Sequence, residues 1–221
     1  MNKILIIVAH PDDETLGCGG TILKLKKLNC EVEILFMTNG VSSRDKSNEN
    51  DILQRKKYTE KAMDLYKIKN FRFADFPDNQ MDKITFIEIV KKIEDHVFSL
   101  KPDIIFTHYA NDLNIDHKLT YEATNTCIRS FKCDFISEVF SFEIPSSTEQ
   151  NFNNKFSPNV YFDISRYIDK KIDIFNSYES EVEEMPHPRS SIYIRALSQF
   201  RGGESNFNNA EAFKLLFKRN K

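Results

Sequence analysis

Four ionisable side chains crowd five residues near the N-terminus: His10, Asp12, Asp13 and Glu14, interrupted by Pro11. An apolar run, ILIIVA, leads straight into them. Charge at the end of a buried strand makes a poor core, whereas strand ends in open α/β sheets are where ligands bind. A second stretch, YANDLNIDH, carries Asp112, Asp116 and His117 behind another apolar run, DIIFTH. Two imidazoles and one carboxylate with a fourth position open are the usual donors of a catalytic zinc site. The same nitrogen and oxygen donors also suit iron, manganese or cobalt.

These two loops can meet only if the elements behind them share a sheet. Residues 3–9 form a nearly continuous apolar run, as expected of a strand buried on both faces. A helix is expected over 15–28, a strand over 31–38, and a polar loop over 41–51. A helix follows over 53–66, a strand over 70–76 and a loop over 77–82. In the helix of 84–100, Phe86, Ile89, Val90, Ile93 and Val97 recur at three- and four-residue steps and mark its buried face. His96, among charges, is placed on its surface. The fourth strand covers 103–108 and the next helix 117–131. Further on, strands are expected over 137–144 and 159–164, a helix capped by Ser165 up to 177, and a helix over 190–202. Residues 210–217 fit either helix or strand. Strands alternating with helices imply right-handed βαβ units. The expected fold is α/β: one domain over 1–221, a Rossmann-like, mostly parallel sheet flanked by helices, with extra C-terminal strands and helices. In such a sheet the loops after the first and fourth strands lie on one edge.

HPDDE after an N-terminal strand, with a later DH pair, resembles the LmbE-like, PIG-L-type zinc-dependent N-deacetylases. The stretches TNGVSSR (38–44), FPDNQMD (76–82), HPRS (187–190) and AEAF (210–213) are similar to further landmarks of that family. The resemblance implies that His10, Asp13 and His117 bind zinc and that Asp12 is the general base. Asp116 would orient a histidine from behind. Glu14 would cap the helix or hold the loop. The implied reaction is removal of an acetyl group from an N-acetylated amino sugar, free or joined to a nucleotide, lipid or small carrier. Hydrolysis of another amide or an ester, and a non-catalytic sugar- or nucleotide-binding module, are the alternatives. The intact Asp12 argues against the last.

One departure is chemically important. Many family members carry a histidine three residues before the ligand histidine, for the oxyanion or for proton donation; here Asn114 stands there. Asparagine can donate a hydrogen bond but cannot relay a proton, so His187 or protonated Asp12 are the options for acid work. Asn39 and Tyr58 replace residues more often Asp and Glu in the family. Arg44, Asp112 and His187 are candidate substrate contacts, and His108 is either a core histidine or a site residue.

The remaining composition narrows the classes. Net charge is −2 with no basic stripe, which gives no footprint for nucleic acid. No run approaches the ~20 apolar residues of a membrane span. No secretory signal pattern opens the chain, and the four cysteines form no Cys-x-x-Cys pair, so free thiols and a cytoplasmic location are expected. Cys18 is read as small buried filler. GCGG is not the glycine pattern of a dinucleotide site, and the acids before it would repel phosphate. A homo-oligomer is compatible with this composition.

Overall fold

The computed structural model describes residues 2–44 and 48–220. Among the described residues, seven strands form one sheet: β1 (Lys3–Val8), β2 (Glu31–Thr38), β3 (Phe71–Phe76), β4 (Ile104–His108), β5 (Glu138–Phe142), β6 (Val160–Asp163) and β7 (Ala210–Lys218). Their order is β3-β2-β1-β4-β5-β7-β6. The first five are parallel, and β7 runs antiparallel to both β5 and β6. Six α-helices accompany them: α1 (Asp13–Lys27), α2 (Glu49–Tyr66), α3 (Phe86–Leu100), α4 (Ile115–Cys127), α5 (Ile168–Phe175) and α6 (Ser191–Ser205). The α/β class with a mostly parallel sheet is therefore as expected, and 210–218 resolve as strand.

The apolar run of β1 has a direct structural cause. Ile4, Ile6 and Val8 face one core layer, Leu5 and Ile7 the other, so every position after Lys3 is buried. β1 is central, with β2 on one side and β4 on the other. The strand order reverses there, and the loops leaving β1 and β4 open a crevice at the carboxyl edge.

Helix α1 starts at Asp13, inside the acidic motif, and breaks at Cys18 (φ −146°, ψ 22°). The break frees backbone groups in a buried place, and two side chains take them. Lys171 Nζ donates to Leu16 O at 2.9 Å, while the Glu211 carboxylate accepts from Gly20 N and Thr21 N at 2.8 and 2.7 Å. Lys171 and Glu211 also pair with each other at 2.7 Å. Gly17 and Gly20 let this helix approach the sheet, since a Cβ at Gly20 would lie 2.7 Å from Ile164 Cγ2.

Several local expectations are corrected. Helix α2 begins at Glu49, because Asn48 and Asp51 form a capping box; the expected loop of 41–51 is shorter, and its residues 45–47 lie outside the described residues. Phe86 sits in the first turn of α3 and is 40% exposed, although Ile89, Val90, Ile93 and Val97 are buried. His96 is buried, one turn from Ile93, and lies 2.7 Å from Glu33 Oε1 on β2. Ser165 is no cap: its hydroxyl donates to Asp163, and α5 begins at Ile168. Helix α4 spans Ile115–Cys127, beginning before and ending short of the expected 117–131. Among the described residues, no helix is long and apolar enough to cross a membrane.

Candidate metal centre and active site

The turn from β1 into α1 is held by its own acids. His10 N donates to Asp13 Oδ2 at 2.8 Å, and Asp12 N donates to Glu14 Oε2 at 2.9 Å. Between them Asp12 adopts a left-handed backbone (φ 105°), a strained state for a residue with a Cβ. Glu14 is fixed in turn by Thr15 Oγ1 and by Tyr178 OH at 2.8 Å. Burial lifts the Glu14 carboxyl to about 7, against the pull of those hydroxyls. Glu14 thus shapes the loop and does not face the cavity.

His10, Asp13 and His117 converge. His10 Nδ1 lies 3.2 Å from both Asp13 Oδ2 and His117 Nε2, and His117 Nε2 lies 3.3 Å from Asp13 Oδ2. Their ligand atoms all fall within 4.8 Å of one another, and all three residues are buried. Asp13 Oδ1 is buried without a hydrogen-bond partner. Each imidazole is backed by acids on its far nitrogen. His10 Nε2 faces Asp116 Oδ2 at 3.2 Å and Asp78 Oδ1 at 3.3 Å; His117 Nδ1 faces Asp112 Oδ1 at 3.1 Å. His10, Asp78 and Asp116 form a second grouping with the same 4.8 Å spread. There the carboxylates are already engaged, Asp116 by Asn79 N and Met81 N, Asp78 by Ser43. Orienting His10 is the use those contacts describe.

The electrostatics follow from this packing. Burial alone would depress both imidazoles, yet hydrogen bonds to Asp116 and Asp13 raise His10 to about 10. The charges of Asp13 and Asp112 raise His117 to about 9. Asp13 is held well below the usual carboxylate range: the His117 charge and the His10 hydrogen bond outweigh its burial. Asp12 goes the other way. Burial raises it, and the Arg189 and Arg55 charges only partly oppose that. Arg55 Nη2 and Arg189 Nη1 stand 3.2 and 3.5 Å from Asp12 Oδ2, out of line for a hydrogen bond.

His108 resolves as a partner of the site. Its ring stacks on His117 with centroids 3.9 Å apart and 15° between planes. Ala9 N donates to its Nε2 at 2.8 Å, so that nitrogen carries no proton and its 3.5 Å approach to Asp13 is no ion pair. Burial holds this imidazole neutral, well below its ordinary value.

His10 and His117 border a cavity of about 260 Å³ whose lining includes Asn114, Arg44, Arg55, Asp78, Glu181 and Arg189; Asp12, Asp13 and His108 are buried and are not part of that lining. Asn114 is at its edge, but its amide is engaged at both ends. Oδ1 caps α4 by accepting from Asp116 N and His117 N, and Nδ2 donates to Asn79 Oδ1 at 2.9 Å. Asp112 lies behind His117, gripped by Ser147 and Thr148, and does not line the cavity. Arg44 lines the mouth, paired with Glu181 at 2.7 Å. His187 is exposed and outside the cavity; its Nδ1 accepts from Arg189 N at 3.1 Å, and Arg189 reaches in instead. The sequence reading missed Arg55, Glu181 and Arg189. Arg55 left a signal, being a lone cation on the helical stripe of Thr59, Ala62, Met63 and Tyr66. Glu181 and Arg189 sit outside α-helices and strands; the surroundings of Glu181 gave no signal, while the HPRS stretch marked the loop of Arg189 but drew attention to His187.

The family model described as PIG-L, GlcNAc-PI de-N-acetylase, matches residues 5–128. A diacetylchitobiose deacetylase of Thermococcus kodakarensis is 24% identical over 228 residues, covering 98% of this chain and 84% of that protein. The N,N'-diacetylchitobiose deacetylase of Pyrococcus horikoshii, solved with an inhibitor, superposes with a TM-score of 0.79 at 20% identity, covering 97% of this chain and 84% of that one. GalB of Pseudomonas putida, a 4-carboxy-2-hydroxymuconate hydratase, also superposes at 0.79, with 17% identity over 100% of this chain and 98% of that one. One fold thus carries two chemistries, and function must be read from the site.

Proposed function

The chain belongs to the PIG-L family, and from that premise we propose that it is a metal-dependent N-deacetylase of an acetylated amino sugar or sugar conjugate. The observation that carries this reading is the convergence of His10, Asp13 and His117 on one point, with Asp12 directly before Asp13 on the same turn. The donor set fits a divalent metal: two imidazoles and a carboxylate, an Asp13 oxygen left without a partner, and a carboxylate behind each ring. Zinc is the first expectation, with Fe²⁺, Mn²⁺ and Co²⁺ suited to the same donors. When bound, such an ion supplies a Lewis acid that polarises a carbonyl and makes water nucleophilic at neutral pH.

The chain's own residues do the rest. Asp12, made more basic by burial, accepts a proton from the attacking water. The water oxygen bonds to the acetamide carbon, the carbon–nitrogen bond breaks, and Asp12 returns the proton to the departing nitrogen. Acetate and a free amine result. Glu14 and Tyr178 hold the backbone that aims Asp12, and Asp112 and Asp116 hold the two rings. A cavity of about 260 Å³ suits one sugar ring, and an adjoining depression of about 390 Å³, which shares Arg44 and Arg55, gives space to whatever is linked to it.

Acetate release from N-acetylglucosamine, N,N'-diacetylchitobiose and nucleotide-linked N-acetyl sugars, with added zinc and with chelator, tests the reading. Asp12→Asn should retain bound metal and lose at least about 10²-fold in kcat. Turnover near wild type in that variant would remove the assigned base.

A further inference from the structure

The reaction leaves one role without an owner among the chain's own side chains. A negative charge develops on the carbonyl oxygen, and a preorganised donor should meet it. Asn114 is committed to capping α4 and to Asn79, and His187 lies outside the cavity. We propose that Arg189 is the cationic donor that stabilises this oxyanion, an assignment that rests on the deacetylase reading above.

Arg189 is both anchored and open. Its Nε donates to Ser146 Oγ at 3.3 Å and its Nη1 to Glu181 Oε2 at 2.6 Å, while Nη2 has no hydrogen-bond partner among the described residues. Its side chain is 25% exposed and lines the cavity beside His10 and His117. The two neighbouring guanidiniums are less suited. Arg55 is 2% exposed and locked by Pro11 O and Glu181. Arg44 is 48% exposed at the mouth. Nη1 of Arg189 already stands 3.5 Å from Asp12 Oδ2, which puts the guanidinium beside the base.

That placement couples two events. While Asp12 is ionised, it shares the field of Arg189. As the water oxygen bonds to the carbonyl carbon, the π pair moves onto the carbonyl oxygen and Asp12 becomes neutral by taking the water's proton. Arg189 loses one anionic neighbour as another forms within reach. When the carbonyl is restored, the carbon–nitrogen pair leaves with nitrogen, which takes the proton from Asp12. Arg189 exchanges no proton throughout, as an arginine must.

The test uses zinc-loaded full-length protein, with Arg189→Ala and Arg189→Lys. Methylphosphonate, a tetrahedral anion, is titrated by calorimetry alongside kinetics on the best N-acetyl sugar. Arg189→Ala should bind methylphosphonate at least tenfold more weakly and lose about 10²–10³ in kcat with KM little changed. Millimolar guanidinium should restore part of kcat, which repair of a merely structural defect would not do. Arg189→Lys, which keeps a cation for Glu181, controls for folding and should recover part of the methylphosphonate affinity. Wild-type protein that ignores methylphosphonate, or unchanged affinity in both variants, overturns the assignment. If wild type releases no acetate from any sugar but loses methylphosphonate affinity in Arg189→Ala, the deacetylase reading falls and the oxyanion site stands.

Discussion

Metal uptake by this protein should be strongly coupled to protons. Without a metal, buried carboxylates push His10 up to about 10 and His117 up to about 9. The facing pair His10 Nδ1 and His117 Nε2 therefore holds at least one proton at pH 7, and a metal requires the lone pair that proton occupies. Asp13 contributes none, because it is held ionised well below its usual range. His10 Nδ1 and His117 Nε2 face each other across 3.2 Å and share Asp13 Oδ2. The cluster must then give up one proton if it holds a single shared one, and two if each ring keeps its own. The sign is fixed by the raised values: affinity is fullest above about pH 10 and weakens as pH falls. Each proton contributes a factor of ten per pH unit, so zinc affinity should drop by about 10²–10⁴ between pH 8 and pH 6. Calorimetric titration of metal-free protein with Zn²⁺, in buffers of different ionisation enthalpy, counts the protons directly. Asp116→Asn removes a carboxylate that raises His10, so it should release fewer protons while weakening the metal about 10- to 100-fold. Heat independent of buffer, with affinity flat from pH 6 to 8, would refute the electrostatic picture.

Two further outcomes concern the frame of the site. Glu211→Ala strands the Lys171 charge and two backbone N–H groups at the break in α1, and should cost about 3–5 kcal/mol in urea unfolding; a loss below about 1 kcal/mol would show that the break needs no such support. Gly20→Ala should cost about 1–3 kcal/mol because its Cβ would press on Ile164, and Ile164→Ala in the same chain should recover part of that penalty. A purely additive double mutant would place the strain elsewhere.

The alternation of strands and helices was legible because burial imposes a period. β1 reads as continuous apolar sequence since both its faces are covered, and α3 shows its stripe because one face is. His96 shows the limit of judging by neighbours: charges flank it, yet its step of three from Ile93 turns it inward to Glu33. The acidic motif was legible for another reason, since so much charge beside a buried strand has few structural uses. By itself, then, the sequence determined the α/β sheet and the acidic motif at its strand end. The family resemblance added the roles expected for His10, Asp12, Asp13 and His117. Tertiary structure decided how the rest of the pocket is shared out. Asn114 became a helix cap, Asp112 and Asp116 became supports for two imidazoles, and the cavity wall passed from His187 to Arg189 two residues later. Loops have no period from which a side chain's direction can be read. Glu181, Arg55 and Arg189 meet only because α2 and the segment before α6 reach the same cavity: Glu181 pairs with Arg55, 126 positions away, and with Arg189, 8 positions away.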